Sequence, residues 1–98
     1  NIPPFGFMTS IILSSHTKAL VLKHASRLAQ QDQNSKNIKI LGPVEAPIFL
    51  LRGQYRYRIL LKSNSRKNLN KFTKKIVEKT KLPSSVKLII DVDPYSFM

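Results

Sequence analysis

The sequence predicts an α+β fold. It reads as a β-α-β-β-α-β split βαβ sandwich: a four-stranded sheet with two helices on one face. Three observations predict it. Apolar residues alternate with period two in strand-length runs, they recur at spacings of three and four in two longer runs, and each helical run lies between extended ones. Such halves make right-handed crossovers and close into one sheet, leaving its other face open to solvent or a ligand. At 98 residues the chain has room for a single domain, 1–98, with no low-complexity segment and no repeat beyond this pattern.

Phe7 to Ser14 alternates, with Phe7, Thr9, Ile11 and Leu13 on one side and Met8, Ser10, Ile12 and Ser14 on the other. Ser15-His16-Thr17 is a polar turn in which Thr17 serves as N-cap. From Lys18 to about Asp32, Val21, Leu22, Ala25, Leu28 and Ala29 form a helical stripe, and Gln33 to Asn37 is a loop. Ile38 to Leu41 is a short strand ending at Gly42-Pro43. Val44 to Leu51 carries Pro47 and reads as an extended edge or bulged arm, because proline cannot donate to a ladder. After the turn Arg52-Gly53-Gln54, Tyr55 to Lys62 sets Tyr55, Tyr57, Ile59 and Leu61 against Arg56, Arg58, Leu60 and Lys62. Ser65 then caps a helix reaching about Lys81, with the stripe Leu69, Phe72, Thr73, Ile76, Val77 and Thr80, stopped by Leu82-Pro83. Val86 to Val92 is the last strand, with Val86, Leu88, Ile90 and Val92 inward; Asp93-Pro94 ends it and Tyr95 to Met98 is a tail.

Seventeen basic residues against 5 acidic ones give a net charge of +12. A chain this size with that excess repels itself, so a polyanion is the natural partner: nucleic acid, an anionic membrane surface or an acidic protein segment. The absence of cysteine removes disulfide frameworks, zinc knuckles and thiolate catalysis. The longest apolar runs fall far short of a membrane span, and no charged n-region followed by an apolar h-region opens the chain, which places it in the cytoplasm. The three glycines lie far apart, so there is no phosphate-binding loop, and neither His16 nor His24 has a ligand or base partner at useful spacing. Asp91 and Asp93 share one side of a strand, a pair better explained as strand-end charges than as a magnesium site. No catalytic site emerges, and the fragment is expected not to be an enzyme and to hold no cofactor.

The basic constellations carry more. Arg56 and Arg58 share a strand face about 7 Å apart, with Lys62 beyond them, and their guanidinium forks suit phosphate oxygens. Lys39 and Lys87 can join them from neighbouring strands. The second helix displays Lys67, Lys71, Lys74 and Lys75, and Arg66 follows Ser65 at a helix N-terminus, where free N–H groups already attract a carboxylate.

Pro3-Pro4-Phe5, Leu41-Gly42-Pro43 followed by Ala46-Pro47, the run from Leu51 through Lys62, and the ending Ile90-Asp91-Val92-Asp93-Pro94-Tyr95-Ser96-Phe97-Met98 resemble, in that order, one known family. It is the C-terminal domain of the bacterial primosomal replication-restart helicases, PriA or primosomal protein N-prime. The resemblance spans essentially the whole chain and implies a fold resembling that of a ribosomal small-subunit protein, in an excised domain ending at the natural C-terminus of a longer protein. It implies that this parent is an ATP-dependent 3′-to-5′ DNA helicase whose motor lobes and zinc region lie upstream. ATP, magnesium and structural zinc are therefore expected elsewhere, and none in this fragment. The resemblance further implies binding to branched and single-stranded DNA, association with the parent lobes and primosome proteins, a nucleoid-associated location, and docking of the acidic C-terminal tail of the single-stranded DNA-binding protein, for which the matching position is Arg66. Gln54 stands where the family more often has a basic residue.

The expected function is sequence-independent DNA binding through Arg52, Arg56, Arg58, Lys62, Lys67, Lys71 and Lys74, with no membrane partner. The rival readings are an acidic-peptide or interdomain interaction module and a ribosomal-type RNA-binding domain.

Overall fold

A computed structural model of the chain describes residues 6–31 and 37–92. The elements are β1 (Phe7–Ser15), α1 (Lys18–Ala29), β2 (Ile38–Leu51), β3 (Gln54–Ser63), α2 (Arg66–Lys79) and β4 (Lys87–Val92). The sheet order is β2-β3-β1-β4 and every neighbouring pair is antiparallel. Hence β1 and β2 run parallel with β3 between them, and β3 and β4 run parallel with β1 between them. Each helix joins such a split pair, and the predicted α+β topology is the one observed.

The period-two alternation of β1 and β3 builds the core. Ile11 pairs with Ile59, Leu13 with Tyr57 and Thr9 with Leu61, and all six side chains are buried. Val21, Ala25 and Leu28 of α1 and Leu69, Phe72 and Ile76 of α2 close over the same face in one cluster. Both helices therefore lie on one side of the sheet.

Local signals act at both strand–helix junctions in the same way. Ser15 Oγ accepts from Thr17 N at 3.2 Å, and Ser63 Oγ accepts from Ser65 N at 3.1 Å. Ser65 then caps α2 by accepting from Asn68 N at 3.2 Å. Thr17 occupies the corresponding position of α1, but its side chain makes no capping bond; the turn is held by Ser15 instead. The two halves thus share a Ser-x-Thr/Ser junction, a short local repeat.

Four expectations need correction. Leu22 is not on the buried stripe of α1: it is exposed, and Leu20 packs against the core in its place. The first helix ends at Ala29 with Gln30 as C-cap, and α2 ends at Lys79 with Thr80 as C-cap, each shorter than predicted. Ile38–Leu41 and Val44–Leu51 are one 14-residue strand and not two elements parted at Gly42-Pro43, while the expected edge position and bulging hold: two register shifts absorb Gly42-Pro43 and Pro47 on the sheet edge. Ile90 and Val92 lie on the core side of β4 yet remain 44% and 57% exposed, because α2 packs over β3 and β1 and leaves the edge strand uncovered. The predicted loop residues 33–36, the opening prolines, Asp93 and the tail lie outside the described residues.

Candidate nucleic-acid interface

With the helices and the core on one side, the alternate residues of every strand reach the other side. The register arranges them in rows across the sheet. Lys39, Lys62 and Met8 form one row; Leu41, Leu60, Ser10 and Asp91 the next; Val44, Arg58, Ile12 and Ile89 a third; Arg56, Ser14 and Lys87 a fourth. Among the described residues, five cations from three strands therefore share a face with one carboxylate, Asp91. Arg56, Arg58 and Lys62 stand together as predicted, and Lys39 and Lys87 flank them from β2 and β4.

Two of these arginines are held by their surroundings. Arg56 Nη1 donates to the carbonyl of Ile48 at 2.9 Å, which fixes the guanidinium and leaves its other N–H groups to outside acceptors. Arg58 sits between Val44 and Ile12, and its Nε is buried with no hydrogen-bond partner. A buried N–H left unmatched costs about 1–3 kcal/mol, which an anion reaching that atom would relieve. No carboxylate ties up Arg56, Arg58 or Lys62 among the described residues.

Arg52 lies off this face, at the tip of the β2–β3 hairpin. Its φ is 52° and that of Gly53 is 79°, the pair of left-handed residues a two-residue type I′ turn requires. His16 in the β1–α1 turn approaches from below, with Nδ1 3.0 Å from the carbonyl oxygen of Gly53. Arg66 sits at the opposite end of β3, a strand of 10 residues spanning about 34 Å. It is the first residue of α2, stacks its guanidinium 5.0 Å from the Phe7 ring centroid, and borders a cavity of about 170 Å³ that Phe7, Leu69, Asn70 and Val92 also line.

The predicted set does not form a single site. Lys67, Lys71 and Lys74 are exposed on α2, on the side of the helix away from its buried residues and so away from the sheet. They and the sheet arginines point in opposite directions. No group of three or more histidines, aspartates or glutamates that could hold a metal ion occurs among the described residues. None of the described helices is long and apolar enough to cross a membrane.

Fold and surface together define a class: a small split βαβ domain with a basic open sheet face and a second basic surface on its helices. The sequence profile of the family described as "Primosomal protein N C-terminal domain" matches residues 1–95, and the chain belongs to that family. It is 40% identical over 97 residues to replication restart protein PriA of Rickettsia conorii, covering 99% of this chain and 15% of that protein. To the Haemophilus influenzae protein of the same name it is 33% identical over 96 residues, covering 95% of this chain and 13% of that one. The chain thus spans under a sixth of the length of these relatives. Among solved structures it is similar to the C-terminal DNA-binding domain of the latency-associated nuclear antigen of MHV-68, with a TM-score of 0.56, 23% identity, and coverage of 95% of this chain and 76% of that one. At that identity the likeness concerns the fold.

Proposed function

We propose that this chain is the DNA-binding module of a replication-restart helicase, holding branched and single-stranded DNA without sequence preference on its open sheet face. The observation that carries this reading is the register: Arg56, Arg58, Lys62 and Lys87 gather on the face that neither helix covers. Phosphate contacts from such side chains position nucleic acid without reading bases. In this reading the ATP, magnesium and zinc chemistry belongs to the longer protein, which works in the bacterial cytoplasm with primosome partners. The experiment is a binding series with Arg56→Ala/Arg58→Ala on unrelated duplex, fork and single-stranded sequences. The variant weakens all of them by similar factors; a loss confined to one sequence refutes the reading.

A specific observation supports a second role, docking of the acidic tail of the single-stranded DNA-binding protein. Arg66 stands at a helix N-terminus beside an apolar cavity, so a terminal carboxylate and an adjacent apolar side chain have neighbouring places. An acidic peptide with a free C-terminus binds more tightly than its amidated form, and Arg66→Ala removes the difference. Equal binding of the two peptides to the unaltered chain counts against this role.

A further inference from the structure

The positive surface on α2 has its own geometry. Leu69, Phe72, Thr73 and Ile76 enter the core. At 3.6 residues per turn, Lys67, Lys71 and Lys74 emerge on the diametrically opposite side. Lys67 and Lys71 are four residues apart and Lys71 and Lys74 three, an arrangement of like charges that weakens a helix. Glu78 is the one acid on that helix. The row spans about 10.5 Å of helix axis, comparable with about three phosphates of one duplex strand at 3.4 Å rise.

Beside the row, a groove of about 440 Å³ opens between α2 and the start of β2, lined by Asn37, Ile38, Asn68, Lys71, Phe72 and Lys75. Two side-chain amides and two ammonium groups at one concavity are donors of the kind phosphate and sugar oxygens accept. The core and the sheet stand between this surface and the open face. The smallest extent of the Cα envelope is 16 Å, so a nucleic acid lying on the sheet does not reach the lysine row.

We infer that the chain carries a second nucleic-acid site along α2, centred on Lys67, Lys71, Lys74 and the Asn37/Asn68 groove, so that one chain bridges two separate segments. The inference rests on the sheet-face reading for its other half. Bridging needs no new chemistry: each face neutralises its own phosphates, and the folded core holds the two backbones apart.

The test is a count. A short hairpin duplex titrated into the chain, followed by native mass spectrometry and calorimetry, saturates at two duplexes per chain. Lys67→Gln/Lys71→Gln/Lys74→Gln saturates at one, Arg56→Ala/Arg58→Ala saturates at one, and the combined variant keeps only the weak residual binding of Lys62 and Lys87, with no saturation over the same concentration range; circular dichroism establishes that each variant is folded. A surface-tethered duplex then captures a labelled free duplex through the unaltered chain and through neither partial variant. Saturation of the unaltered chain at one duplex overturns the bridge, including the case in which a chain dimer performs the capture. Capture undiminished by the lysine substitutions overturns it as well. If the arginine substitutions leave the count at two, the sheet-face reading fails, and the bridge as drawn fails with it. A count of one that only the arginine substitutions abolish leaves the sheet face standing and removes the α2 site.

Discussion

The salt dependence of DNA binding is the sharpest measure of how the sheet face works. Placed in the Lys67→Gln/Lys71→Gln/Lys74→Gln background, the chain offers DNA only its open face, where Arg56, Arg58, Lys62 and Lys87 project. If each meets one phosphate of a duplex, log K falls against log salt with a slope of about −3.6, a loss on the order of 150-fold between about 50 mM and about 200 mM. Adding Arg56→Ala/Arg58→Ala removes two of the four contacts. The slope drops to about −1.8 and the same change of salt costs roughly twelvefold. Fluorescence anisotropy with a labelled duplex measures both slopes. An unchanged slope, with affinity lost equally at every salt concentration, would show that the two arginines act through packing and not through phosphate, and the reading of this face would be wrong.

Three further outcomes follow from local structure. Gly42 has φ 112° and a Cβ built there would lie 2.8 Å from the Arg58 carbonyl oxygen, so Gly42→Ala lowers the unfolding free energy by about 2 kcal/mol, measurable by urea denaturation. A stability equal to that of the parent chain would mean that the bulge relaxes freely. Arg52 holds the left-handed position where asparagine is the natural occupant, so Arg52→Asn raises stability by about 1 kcal/mol, measurable by the same denaturation. An unchanged or lower stability would contradict the strain. His24 is held below the ordinary histidine value of 6.5 by desolvation, then by Arg27 and Lys23. The unfolded chain takes up that proton first as pH falls, so the stability is present above about 6.5 and is lost on acidification through the lower folded value. His24→Gln flattens this part of the pH profile, and parallel profiles for the two proteins would remove histidine from the account.

Most of the fold was legible because two periods are hard to confuse. Tyr55, Tyr57, Ile59 and Leu61 against Arg56, Arg58 and Lys62 declare both a strand and which side of it is wet. The second strand was harder. Gly42-Pro43 and Pro47 break the alternation, and only the register shifts opposite β3 show that the chain passes through both and stays paired. Leu22 and Leu20 illustrate another limit, since a helical stripe two residues wide leaves its edge to tertiary packing. The candidate site was half legible. The sequence placed Arg56, Arg58 and Lys62 together, but it pooled them with Lys67, Lys71 and Lys74. The separation was within reach, because helices covering the core face must turn their polar sides away from the sheet. The strained Arg52 had no such signal, as arginine is not a residue that announces a left-handed turn.

The aromatic residues bear on how the proposed sheet-face site holds nucleic acid. Every phenylalanine and tyrosine ring among the described residues lies on the core side: Tyr57 and Phe72 are buried, and Phe7, Phe49 and Tyr55 pack partly buried against the same cluster. Phe49 also leans on Tyr57 edge to face, with centroids 5.2 Å apart. Between the cations, the open face presents Ile12, Leu41, Val44, Leu60 and Ile89, which are aliphatic. Sheets that grip single strands by their bases use exposed rings, each worth about 1–3 kcal/mol per stacked base. With no phenylalanine or tyrosine ring on this face among the described residues, the attraction comes from the backbone. A single strand with its bases replaced by abasic sites therefore binds this face within about a factor of two of the intact strand, since the charges are unchanged and no stacking is lost. A loss of about tenfold or more, the equivalent of one stacked base, would mean that bases are being held after all. The ribosomal-type RNA-binding alternative would then become the stronger account.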